Sequence, residues 1–135
     1  MTTSIGQEWQ LLQTQFDSYE KFSLIIKLIH LSLACLLLSF SQPSYLLIGL
    51  GGLFWLQDGI WKTFQARVET RLLKLEQNIE GENSVRPFQF NSEFLAQRGS
   101  NLSLILEYLK QSLKPTVAFP HVVLLLIYLI LITFG

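Results

Sequence analysis

From Phe22 to Phe40 the chain is apolar apart from Lys27, His30 and three serines. As an α-helix this run is about 28 Å long, the thickness of a bilayer's hydrocarbon core. A second apolar run, Tyr45 to Trp61, follows across Ser41-Gln42-Pro43-Ser44. Pro43 cannot continue the first helix and Ser44 can cap the second, so a link this short makes the two helices antiparallel neighbours. A third apolar run, Thr116 to Phe134, contains Pro120, which either kinks the helix or marks its start. The 135 residues amount to one domain, and 15% of them are charged, against about 25% in an average soluble domain.

Helical periodicity extends beyond the apolar runs. Ile5, Trp9, Leu12, Phe16 and Tyr19 form one stripe, and nothing between Tyr19 and Phe22 breaks the helix. One continuous helix is expected over 4–40. Trp61, Phe64, Val68, Leu72, Leu75 and Ile79 form a second stripe, with Lys62, Arg67, Glu69, Arg71, Lys74 and Glu76 on the wet faces. A helix over 45–80 would be about 54 Å long and must leave the bilayer. Gly81 is placed to end it. Ser92 can cap a further helix over 92–113, which Gly99-Ser100-Asn101 interrupts. Leu102, Ile105, Leu106, Leu109 and Leu113 give that segment an apolar face.

Charge sets the orientation. All ten Lys and Arg residues lie before Leu28 or between Lys62 and Lys114. The positive-inside rule places the N-terminus and the 58–115 region in the cytoplasm, and the 41–44 turn and the C-terminus outside.

With the turn near Pro43, Lys27 falls opposite Asp58 just inside the cytoplasmic edge of the hydrocarbon core. There the two can offset each other's desolvation, or Lys27 can snorkel to the interface. The same register sets Ala34 against Gly51, and lays the two stripes side by side as a stalk seam. Gly49, Gly51 and Gly52 suit close helix packing. His30 stands one turn from Lys27 and reads either as a proton-relay or pH-sensing group or as a hydrogen-bonded interior histidine. His121 reads as interfacial. Ser32 and Ser39, with His30 and Lys27, are the polar residues of the first run that could line a pore.

Enzymatic chemistry is not expected. The glycines at 49–52 lack the Lys-Ser/Thr of a phosphate loop. Two separate histidines without acidic or thiol partners are not a zinc site, and no cofactor is implied. The single Cys35 excludes a disulfide framework. Zero formal net charge, with no basic cluster interleaved with aromatics, argues against nucleic acid. Glu69, Glu76 and Glu80 alternate with Arg71 and Lys74 and read as helix-surface ion pairs.

The segment Phe54-Trp55-Leu56-Gln57-Asp58-Gly59-Ile60-Trp61-Lys62-Thr63-Phe64-Gln65, followed by Arg67, Arg71, Leu75 and Glu76, resembles a group of small uncharacterised bacterial membrane proteins. Leu11 to Gln15 and Ile26-Lys27 extend the likeness over roughly the first 80 residues. The layout of a hairpin with a cytoplasmic helix also resembles the SLATT-type two-span effectors of bacterial nucleotide signalling. Those likenesses imply a bacterial inner-membrane protein.

The expectation is therefore all-α: a three-span membrane helix bundle whose long helices continue into the cytoplasm as a coiled-coil-like stalk. A chain this small cannot enclose a pore alone, so a homo-oligomer is expected. It would be a channel or pore-forming effector subunit, or a scaffold docking a cytoplasmic protein through residues 61–113.

Overall fold

The structure, a computed structural model, describes residues 2–40, 44–80 and 85–134. The described residues are all-α. Two long antiparallel helices, α1 (Thr2–Phe40) and α2 (Tyr45–Glu80), carry three shorter ones: α3 (Phe90–Gln97), α4 (Asn101–Ser112) and α5 (Pro115–Phe134). The expected turn at Ser41-Gln42-Pro43 and the helix stop at Gly81 lie outside the described residues.

The polar halves of α1 and α2 meet along a seam. Ile5 and Leu12 of α1 are buried against Val68, Leu72 and Leu75 of α2, and Trp9, Phe16, Tyr19 and Phe90 pack around them. The aromatic ladder continues toward the apolar end as Tyr19, Phe22, Trp61 and Phe64, with ring centroids 5.2–6.5 Å apart. At that end a second cluster joins Ala34, Leu47, Leu124 and Tyr128 from α1, α2 and α5.

The segment expected over 92–113 is two helices, not one. The first begins at Phe90 rather than being capped by Ser92, since Gln89 holds the cap position. The second starts after Ser100, whose hydroxyl accepts the Ser103 N–H and so satisfies a free helix-end donor. α5 kinks at Phe119, where the backbone leaves the helical region ahead of Pro120.

Among the described residues two helices, not three, are long and apolar enough to cross a membrane: the one spanning Ser4–Phe40 and the one spanning Pro115–Phe134. α2 is not the third. Gly49, Gly51, Gly52, Gln57, Asp58 and Lys62 dilute its apolar residues.

The apolar half is inverted relative to a water-soluble core. Leu24, Ile25, Leu28, Ile29, Leu31 and Leu36 of α1, and Leu126, Ile127, Leu129 and Ile130 of α5, face outward. Ser23, His30, Asp58, Thr63 and His121 are buried.

Candidate functional site

Three helices enclose a connected polar cluster between the two apolar cores. α1 contributes Ser23, Lys27 and His30, which the helical repeat sets on one face at intervals of four and three. α2 contributes Asp58, and α5 brings His121 on the turn after its kink. Asp58 is wholly buried and is the hub. Its Oδ1 accepts a hydrogen bond from the Ser23 hydroxyl. Its Oδ2 lies 3.3 Å from the Lys27 ammonium and 3.2 Å from His121 Nε2. Lys27 also donates to the Thr116 carbonyl at 2.9 Å, and so ties α1 to the start of α5. An unpaired buried carboxylate would cost several kcal/mol; here three donors share it.

From His121 the cluster runs deeper. His121 Nδ1 stands 2.7 Å from His30 Nδ1, with the two rings nearly parallel and their centroids 5.0 Å apart. His30 also stacks on Phe54, with centroids 5.1 Å apart. His30 Nε2 is buried with no hydrogen-bond partner. Gly51 lies beside it, where an added Cβ would come within 3.2 Å of that nitrogen and 2.7 Å of Leu125. Glycine at 51 is therefore what lets α2 close on the histidine and on α5.

His121 is fully buried, and the two histidines do not lack an acidic neighbour. Sequence separation hid this, since Asp58 and His121 are 63 residues apart. Nor does the group form a metal cage: no set of three ligating side chains is found among the described residues. The two Nδ1 atoms face each other at 2.7 Å, closer than the roughly 3.3 Å that separates two nitrogens on one tetrahedral zinc.

The other expected residues scatter. Ser32 and Ser39 are exposed on the outside of α1, away from His30 and Lys27. The Ser39 hydroxyl returns to the Cys35 carbonyl at 2.7 Å. Ala34 packs in the apolar cluster with Leu47, and the atoms nearest to where a Gly51 side chain would stand belong to Leu125 and His30. Gly49 and Gly52 have open space where a side chain would be, so they make no close contact within the protomer.

At the polar end, Arg71 and Lys74 turn to partners other than Glu69 and Glu76, while the Glu80 side chain lies outside the described residues. Arg71 is buried and reaches outward from α2 to two other helices. It donates to Glu8 of α1 at 2.9 and 3.3 Å, to Glu93 of α3 at 2.6 Å and to the Arg86 carbonyl at 2.8 Å. Lys74 shares Glu93 at 3.1 Å, and Glu76 accepts from the Trp9 indole at 3.0 Å. Arg67 pairs with Glu107 of α4 at 3.0 Å and sits 4.5 Å over the Phe94 ring. Burial opposes the charged form of both Arg71 and Glu93. The bond to Glu8 outweighs it and raises the Arg71 guanidinium. The Lys74 hydrogen bond and the Arg71 charge likewise hold the Glu93 carboxyl below its ordinary value.

These side chains wall a cleft of about 370 Å³ between α2, α3 and α4, with Arg98, Gln97 and Phe90 at its rim. Ser23, Glu8, Arg71 and Glu93 are site residues missed from the sequence, although Glu8, between Ile5 and Leu12, and Arg71, between Val68 and Leu75, stand at helical spacing with the buried stripes. The one local signal for Ser23 is its place on the Lys27–His30 face.

No family model, curated protein or solved structure matches the chain.

Proposed function

We propose that the protein is a multi-pass bacterial inner-membrane scaffold. α1 from Phe22 onward, the first half of α2 and α5 occupy the bilayer. The N-terminal half of α1, the second half of α2, α3 and α4 form a cytoplasmic head that docks a soluble protein. The observation that carries this reading is the inverted apolar half, with leucines and isoleucines outside and a hydrogen-bonded Asp58 cluster inside. Water would penalise such a surface, whereas lipid requires it. Spanning by α2 rests on its packing between α1 and α5, which covers Asp58 and Gly51 and leaves Gln57 exposed. The charge asymmetry of the sequence orients the head to the cytoplasm.

Two features favour anchoring over conduction through a protomer. Beyond His30 the spans pack as an apolar cluster of Ala34, Leu47, Leu124 and Tyr128. The head, by contrast, offers an open cleft whose lining includes Arg67, Arg98, Phe90 and Phe94, residue types enriched at protein-recognition surfaces.

An oligomeric channel is the second reading, favoured by the outward-facing Ser32, Cys35 and Ser39 on α1 and the uncovered Gly49 and Gly52 on α2. Contacts between copies at those glycines would set the serines near a shared axis.

Reconstituted into vesicles, the protein is expected to pass neither potassium nor a small dye. A photo-crosslinker at Gln97 is expected to capture one defined protein in cells, and the same group at Leu126 none. Ion flux that scales with protein, together with an empty Gln97 crosslink, overturns the scaffold in favour of the channel.

A further inference from the structure

Hydrogen-bond accounting in the buried cluster fixes where its protons sit. Asp58 as a carboxylate only accepts, so the Nε2 of His121 that faces it must carry a hydrogen and donate. In a neutral imidazole the other nitrogen is then bare, so His121 Nδ1 accepts. The 2.7 Å contact requires one proton between the two Nδ1 atoms, and His30 Nδ1 must supply it. His30 Nε2 is left as a lone pair, and that is the atom without a partner. The alternative, a charged His121, would put a hydrogen on His30 Nε2 with no acceptor while Lys27 already supplies the positive charge facing Asp58. The neutral arrangement satisfies every donor in the series.

All donors in this series point the same way, from His30 through His121 to Asp58. We propose that the three residues form a directional one-proton relay whose accepting end is His30 Nε2 and whose delivering end is Asp58. A proton added to His30 Nε2 releases the proton on His30 Nδ1 to His121 Nδ1. His121 then releases its Nε2 proton to Asp58 Oδ2. One proton has entered and one carboxylate has been neutralised. Both imidazoles end neutral with their tautomers exchanged, and the Asp58 hydroxyl donates back to His121 Nε2.

The consequence falls on Lys27. It loses its counter-charge and keeps its bond to the Thr116 carbonyl. Its ammonium is partly exposed, so it is the group placed to pass a proton, or itself, toward the polar end. The ionisable groups around the relay are Lys27 of α1, Asp58 of α2 and Tyr128 of α5, whose ring is 6.3 Å from that of His30. Ser23 holds the other carboxylate oxygen and keeps Oδ2 turned to His121 and Lys27. The relay goes beyond scaffolding: a scaffold without it keeps the same fold, and a relay without a docking partner keeps the same protons.

The test reads tautomers directly, by nitrogen-15 NMR of histidine-labelled protein in lipid bilayers. At neutral pH, His30 is expected as the Nδ1–H form and His121 as the Nε2–H form. On acidification the two signals exchange in one coupled step that takes up one proton. With His121→Gln, His30 is expected to lose its fixed tautomer and titrate alone. Two Nε2–H histidines at neutral pH, or two independent titrations in the wild-type protein, overturn the relay. The wild-type spectra decide the matter even if the variant does not fold.

Discussion

At the scale of single residues the molecule depends on charges buried at the edges of its apolar stripes. Arg71 stands three residues after Val68 and four before Leu75, at the edge of the stripe, and its charge rather than its spacing assigns it to the wet face of α2. Spacing reports which residues share a face but not what later packs on that face. Here α3 and the chain around Arg86 arrive to cover it. Glu8 is buried with it, and accepts the Phe88 N–H as well as Arg71. Arg71→Met leaves the Glu8 carboxylate buried without its cation, and is expected to cost about 3–5 kcal/mol in denaturant unfolding of the purified protein. Adding Glu8→Gln should return part of the loss, because the amide oxygen still accepts from Phe88 and no charge is stranded. A double variant no better than the single one would sink this account of the pair.

Glu93 gives the same site a pH dependence. Its carboxyl is held below the ordinary value of 4.5, so its ionised form adds stability that is fully present above that pH. The contribution disappears as pH falls through the lower, folded value. Arg71, held upward, stays charged throughout and adds nothing to the acid slope. Hydrogen exchange in α3, corrected for intrinsic rate, is expected to accelerate selectively below about pH 4.5. Glu93→Gln should make that acid response vanish.

At the scale of elements, the two long helices and their seam were legible because their signals are local and repeated. Trp9, Leu12, Phe16 and Tyr19 on α1 and Trp61, Phe64, Val68, Leu72 and Leu75 on α2 recur at helical spacing, and a short link admits one way to pair them. The docking of α4 and α5 was not legible. That of α4 depends on a small residue, Gly59, and nothing in the neighbouring sequence announces its contact. An added Cβ there would lie 1.8 Å from the Ser112 hydroxyl and 3.3 Å from its backbone Cα. Gly59→Ala is therefore expected to push the end of α4 off α2, break the 2.8 Å bond from the Trp55 indole to the Ser112 carbonyl, and cost about 1–3 kcal/mol. The Trp55 emission should shift as that bond is lost. Gly49→Ala is the matched control. Its Cβ meets nothing within the protomer, and alanine favours the helix by about 1 kcal/mol, so the protomer should hold or gain stability. If Gly49→Ala instead dissociates an assembly, the open face of α2 is a contact between copies.

At the scale of the whole molecule the scaffold and channel readings differ in what touches the outer face of α1. Cys35 lies on that face, exposed from the protomer and between Ser32 and Ser39 on the same helical stripe. It is the chain's one cysteine, so no engineering is needed to probe it. A thiol reacts with maleimide as its thiolate, which requires water and a tolerable dielectric. If α1 turns this face to lipid, Cys35 in intact membranes is expected to resist a charged, water-soluble maleimide. It should then label fully once the membrane is dissolved. A cysteine placed at Gln97 on the cleft rim should react in inverted vesicles and stay silent in intact cells. If copies assemble around a wetted axis lined by Ser32 and Ser39, Cys35 must meet that water and react with the charged reagent at a rate close to that in detergent. Rapid labelling of Cys35 in intact membranes would therefore reject the lipid-facing α1 on which the scaffold rests. Slow labelling, with normal reactivity after solubilisation, removes the Ser32–Cys35–Ser39 stripe of α1 from any aqueous path.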